Sequence, residues 1–123
     1  MNQFVGVGRL VAKPEVKESE NGKKYINYTI AVQRSYKNAD GEYETDFLDV
    51  VSFGQVAEST AEYCEKGDII GVKGRIETSN YENEDGEKRK STQIIADRVS
   101  FLSSKEKAAE IEANRESEDD LDM

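Results

Sequence analysis

From Phe47 to Phe53 the chain reads FLDVVSF. Successive side chains of an extended segment point to opposite faces. Phe47, Asp49, Val51 and Phe53 therefore share one side, and Leu48, Val50 and Ser52 the other. Both sides are largely apolar, although the chain as a whole is acidic. Segments rich in β-branched and aromatic residues recur along the chain and predict strands over residues 3–11, 24–36, 44–53, 69–81 and 88–102. Polar turn signals separate them. Pro14 and ESENG follow the first strand. NADGE at 38–42 and ENEDGE at 82–87 each carry an Asp-Gly pair that accepts positive φ.

The period changes once, after Gly54. Val56, Thr60, Tyr63 and Cys64 fall at i, i+4, i+7 and i+8, and Ala57 and Ala61 widen the stripe. This spacing predicts a short amphipathic helix with Gly67 beyond its end; Tyr63 is assigned to its packing face. Strands of this length need closure or cover to avoid exposed edges. The expected fold is all-β: a five-stranded OB-fold Greek-key barrel, with the helix between the third and fourth strands plugging one end. Glycines at 6, 8, 71 and 74 suit strands that bend to close a small barrel. A β-sandwich fragment is the alternative, which a lone helix at this position disfavours. The barrel domain is expected over residues 1–102. Residues 103–123 lose the pattern and read as an acidic, disordered tail.

Composition sharpens this division. Hydrophobic residues make up 36% of the 123-residue chain and charged residues 35%, with a net charge of −9. Eight acids and three bases fall in residues 104–123. The chain has one cysteine, Cys64, and no histidine. That removes an intramolecular disulfide, the common zinc sites and histidine-based catalysis. No catalytic constellation stands out, and no cofactor or metal is expected. GVG at 6–8 lacks the remainder of a phosphate loop. The acid pair Asp46 and Asp49 reads as solvated surface rather than a metal or acid–base couple. With neither a signal peptide nor a transmembrane run, the expected location is the cytoplasm.

The aromatics carry the functional signal. Tyr36 and Tyr81 end strands at hairpin mouths, and Phe47 and Phe53 share a strand face. An aromatic on a strand is more often core than platform, but Asp49 between the phenylalanines argues for a wet face. Every nucleobase has a flat π-face, so aromatic platforms hold single strands with little base preference, at about 1–3 kcal/mol per stacked base. Basic residues beside the same strands are candidates for phosphate contacts: Arg9, Lys13, Arg34 and Lys37 in the first half, Lys73 and Arg75 on the fourth strand. Lys88, Arg89 and Lys90 form the densest run. Tyr25, Tyr28 and Tyr43 have weaker cases.

Five stretches, VGVGRLVAKPEV, KYINYTIAVQRSY, TDFLDVVSFGQVAE, YCEKGDIIGVKGRIETSNYENEDGE and TQIIADRVSFL, resemble in order and spacing the bacterial and phage single-stranded DNA-binding proteins of the homo-oligomeric OB-fold type. The likeness covers residues 1–102. It implies base stacking by Tyr36, Phe47, Phe53 and Tyr81, where the family often has tryptophan, and this chain has none. It also implies a homotetramer with the strand around Phe4–Leu10 at a subunit interface, and a tail that recruits replication and repair proteins. The tail here ends Asp119-Asp120-Leu121-Asp122-Met123, without the family's terminal Pro-Phe.

The expected function is sequence-nonspecific binding and protection of single-stranded DNA in replication, recombination and repair, with no enzymatic activity. Two other classes fit the composition. An OB-fold adaptor of the primosome type would use its aromatics for protein contacts. An acidic DNA mimic would bind a nuclease or repressor and no DNA. An anionic tail is further expected to compete with DNA for the groove, so that deleting residues 104–123 tightens binding at low salt.

Overall fold

The strand and turn signals become six strands and one helix in a computed structural model of the chain, which describes residues 1–103. The elements are β1 (Phe4–Leu10), β2 (Lys17–Glu18), β3 (Lys24–Lys37), β4 (Tyr43–Phe53), α1 (Gly54–Tyr63), β5 (Ile69–Glu82) and β6 (Lys88–Ser103). β2 is too short to leave a periodic signal; it pairs with the start of β3. The expected acidic tail beyond Ser103, with Asp119, Asp120, Leu121, Asp122 and Met123, lies outside the described residues.

The sheet runs β1-β5-β6-β4-β3, and β3 pairs back onto β1 at Arg9–Ala31 and Leu10–Ile30. Five strands thus close into the expected barrel, with β2 appended to β3. Neighbours are antiparallel except β4 and β6, which run parallel over Val50–Ser52 and Ile94–Ala96.

The two long hairpins close on one turn chemistry. In Asn38–Glu42 and in Asn83–Glu87 the asparagine amide donates to the glutamate carbonyl, at 2.8 and 3.0 Å. The asparagine Oδ1 accepts from the backbone N–H groups two and four residues on. The Asp-Gly pairs put Gly41 and Gly86 at φ of 78° and 77°, which glycine adopts without penalty.

Inward rows of the strands make one core. β3 supplies Ile26, Tyr28 and Ile30, β4 Val50, β5 Ile70 and Val72, and β6 Ile94 and Ala96; Leu10 of β1 joins them. Each fully buried large aliphatic side chain among them contributes about 1.5–3 kcal/mol relative to exposure. α1 adds Ala57, with Thr60 and Cys64 also buried on that side. The buried side of the helix is therefore made of small residues, which lets it sit low over the barrel. Tyr63, expected to pack inward, instead lies exposed at the rim, its ring 5.8 Å from that of Phe101. Among the described residues no helix is long and apolar enough to cross a membrane.

Candidate functional site

Because Leu48, Val50 and Ser52 turn inward, Phe47, Asp49, Val51 and Phe53 turn outward. Across β3 the same outer row sets Ala31 beside Phe47, Thr29 beside Asp49, Asn27 beside Val51 and Tyr25 beside Phe53. On the other flank Val51 lies beside Ile95 of β6. From Ile95 that row continues through Gln93, Ser91 and Arg89, facing Arg75, Glu77, Ser79 and Tyr81 of β5 with no break in register. One outer face therefore carries Phe47, Phe53 and Tyr81, with relative exposures of 66%, 38% and 53%. The two phenylalanines stand six residues apart, roughly 20 Å along the strand. Between the hairpins runs an open groove of about 260 Å³, lined in part by Asn27, Thr29, Asp49, Ser91 and Gln93.

Tyr36 is set apart. The β3–β4 ladder shifts register between Gln33 and Lys37. Tyr36 is exposed and lies two residues beyond Arg34 on β3. It does not continue the row of Phe47 and Phe53.

The basic residues divide by partner. Arg34 binds Asp46 through Nε and Nη2 at 3.0 and 2.9 Å, and Nη1 binds Glu44. The Asp46 contact raises the guanidinium's pKa, and the same hydrogen bonds hold the Asp46 carboxyl below the ordinary carboxylate range. Arg75 is engaged by Glu77 and Asp97, and Arg89 by Glu87. Lys13 reaches the end of α1, donating to the carbonyls of Ala61 and Cys64 and to Glu65. A cation on the last carbonyls of a helix satisfies orphan acceptors and complements its dipole. Arg9 donates to the Gly67 carbonyl at 2.8 Å. Lys73 pairs between Val5 and Arg98, on the far side of the barrel from Phe47. Lys37 lies over the Tyr43 ring at 5.7 Å. Lys88 and Lys90 have no ion pair among the described residues; with Tyr81 and Arg89 they line an open depression on the β5–β6 hairpin.

Two residues without a strong signal in the sequence join this surface. Tyr25 lies 6.4 Å from Phe53, ring to ring, and the Lys23 ammonium sits 4.6 Å above the Phe53 ring. Alternation was the available hint: with Ile26, Tyr28 and Ile30 turned inward, Tyr25 falls on the outer row. Among the described residues no three metal-ligating side chains gather at one place. Such a surface can stack flat rings, satisfy polar edges between them and hold anions along its rims.

Residues 1–102 match the model of the single-strand binding protein family. The chain is 45% identical over 105 residues to single-stranded DNA-binding protein 2 of Staphylococcus aureus strain Mu50, covering 85% of this chain and 74% of that one. It is 44% identical over 111 residues to single-stranded DNA-binding protein B of Bacillus subtilis strain 168, covering 89% and 98%. Single-stranded DNA-binding protein 3 of Listeria innocua is 42% identical over 109 residues, covering 89% and 68%.

Proposed function

The chain belongs to the single-strand binding protein family, and on that premise we propose that it coats single-stranded DNA during replication, recombination and repair in the cytoplasm. The observation that carries the reading is the exposure of Phe47, Phe53 and Tyr81 on one outer face, with a polar groove between them. Bases stack on these rings, and Tyr25 extends the Phe53 platform. Lys23 covers Phe53 in the free protein; an arriving base displaces the ammonium, which then meets a phosphate. Lys88 and Lys90 serve phosphates near Tyr81. Arg34, Arg75 and Arg89 would first have to leave their carboxylates. Tyr36, beside Arg34, meets the strand only where it passes over the β3–β4 hairpin. Arg9, Lys13 and Lys73 are the weakest of the phosphate candidates, because the first two are held by backbone carbonyls and the third faces away.

The surface of β1 supports self-association. Along Phe4–Gly8 it is paired on one edge only, and its outward Val5 and Val7 are 71% and 54% exposed. Leu102 lies beside them across Gly71. An unpaired edge and an apolar row suit association with further copies of the chain, as a homotetramer.

Titrating oligo-dT while following tyrosine fluorescence tests the binding. Phe47→Ala and Tyr81→Ala should each weaken it by the value of one stacked base, about 1–3 kcal/mol, while circular dichroism stays unchanged. Folded variants with undiminished affinity would refute the stacking platform and favour an adaptor that uses its aromatics for protein contacts.

A further inference from the structure

Asp49 occupies the middle of the proposed strand path, on the same outer row as Phe47 and Phe53. Its position is unusual for a surface that holds a polyanion. The Thr29 hydroxyl donates to its Oδ1 at 3.2 Å, and no cation pairs with it among the described residues. Four other strand carboxylates are compensated, Asp46 and Glu44 by Arg34, and Glu77 and Asp97 by Arg75, whereas Glu18 of β2 and Glu82 of β5, like Asp49, have no ion pair among the described residues. An uncompensated carboxylate repels phosphate. The strand therefore passes this point with its bases inward and its phosphates along the rims.

A carboxylate is acceptor-only. The Thr29 hydrogen bond orients it and uses part of Oδ1; Oδ2 has no hydrogen bond among the described residues, and Asp49 lines the groove. An N–H donor on a base edge satisfies Oδ2: N4 of cytosine, N6 of adenine, or N1 and N2 of guanine. Thymine presents O4 and O2 on either side of its one N–H, and those lone pairs face the carboxylate unfavourably. Carboxylate-to-cytosine N4 pairing is an established mode of base readout. Asn27 and Gln93, the neutral amides of the same groove, supply both donors and acceptors to adjoining edges. We propose that Asp49 gives this otherwise unselective surface a base preference at one position of the bound strand, favouring amino-bearing bases and cytosine over thymine.

The inference rests on the single-strand-binding reading, and one experiment separates the two. Labelled dC and dT homo-oligomers of equal length are titrated by fluorescence anisotropy against the parent protein, Asp49→Asn and Asp49→Ala at one salt concentration. Comparing the dC-to-dT affinity ratio between proteins cancels the intrinsic flexibility of each oligomer. Asparagine keeps the shape and adds a donor that thymine O4 can accept. The ratio should fall about 3–10-fold in Asp49→Asn, the worth of one net hydrogen bond. In Asp49→Ala it should fall less, while both affinities rise as the repulsion is lost. Equal gains for both oligomers would reduce Asp49 to a charge penalty and overturn the base preference. Unchanged affinities would overturn it too, by placing Asp49 off the path. A parent protein that binds neither oligomer would overturn the single-strand reading itself.

Discussion

Among the described residues Tyr28 is the one aromatic ring turned fully into the core, and its hydroxyl meets the Ser52 hydroxyl at 3.0 Å. The described residues leave no buried side-chain polar atom unpaired. Burial pushes the Tyr28 phenol up to about 12 and the Cys64 thiol up to about 11. Both folded values lie above the unfolded ones, so folding favours the neutral, protonated forms. Their stabilisation is intact below the unfolded values of 9.0 for the thiol and 10.0 for the phenol. It is lost as pH climbs through the folded values, at about 1.4 kcal/mol per pH unit for each group. Urea unfolding from pH 8 to 12 should show that decline. Tyr28→Phe should remove the part above pH 10. At neutral pH it should cost about 1–3 kcal/mol by leaving Ser52 without its partner, and adding Ser52→Ala should recover part of this. An unaltered alkaline slope in Tyr28→Phe would place the titration elsewhere.

At the scale of elements, β5 must serve two neighbours. Its first half pairs with β1 on one edge, and its whole length pairs with β6 on the other. The ladder shifts between Lys73 and Gly74, where β6 carries an extra residue. Such a bulge bends a strand and increases its twist, and here it directs the hairpin that bears Tyr81. A Cβ on Gly74 would overlap the backbone carbonyl of Ile95, which cannot move without breaking the ladder. Gly71, three residues earlier, would meet only ordinary contacts at 3.7–3.8 Å, with Ser100 and Leu102. Gly74→Ala should therefore lower stability by about 1–3 kcal/mol or more, and Gly71→Ala should change it much less. Thermal melts of the two variants make the comparison; equal losses would deny the bulge its role. The turns that close both hairpins were legible beforehand, because Asn, Asp and Gly act on their own backbone. The bulge was not, because it depends on two distant strands meeting.

For the whole molecule, exposed aromatic rings and exposed aliphatic side chains are placed on different sides. The outer row of β4 and the β5–β6 hairpin carry rings and unpaired lysines, and the far side of the barrel exposes Val5, Val7 and Leu102. If copies of the chain assemble through β1, Val5→Glu with Val7→Glu should convert a tetramer to smaller species in sedimentation, with the barrel still folded. A parent protein that sediments as a monomer would remove that interface. The family resemblance implied Tyr36, Phe47, Phe53 and Tyr81 as stacking residues and the strand around Phe4–Leu10 as a subunit interface. It did not place Tyr36 apart from the other three, nor engage Lys13 with the end of α1.

Alternation within a strand and side chain–backbone bonding within a turn act over a few residues. The amino-acid sequence therefore determined by itself where the five barrel strands, the helix and both long hairpin turns lie, and that Phe47, Asp49 and Phe53 share a face, but not the short β2. Which residues stand across from one another was decided only by the tertiary structure. An unbroken ladder from the Lys37–Tyr43 pair would set Asn27 opposite Phe53; the shift after Gln33 puts Tyr25 there instead. Strand pairing also brought Thr29 to Asp49, Asp46 to Arg34 and Asp97 to Arg75. Contacts between strands sum many weak interactions over the closed barrel, and no local pattern encodes that sum.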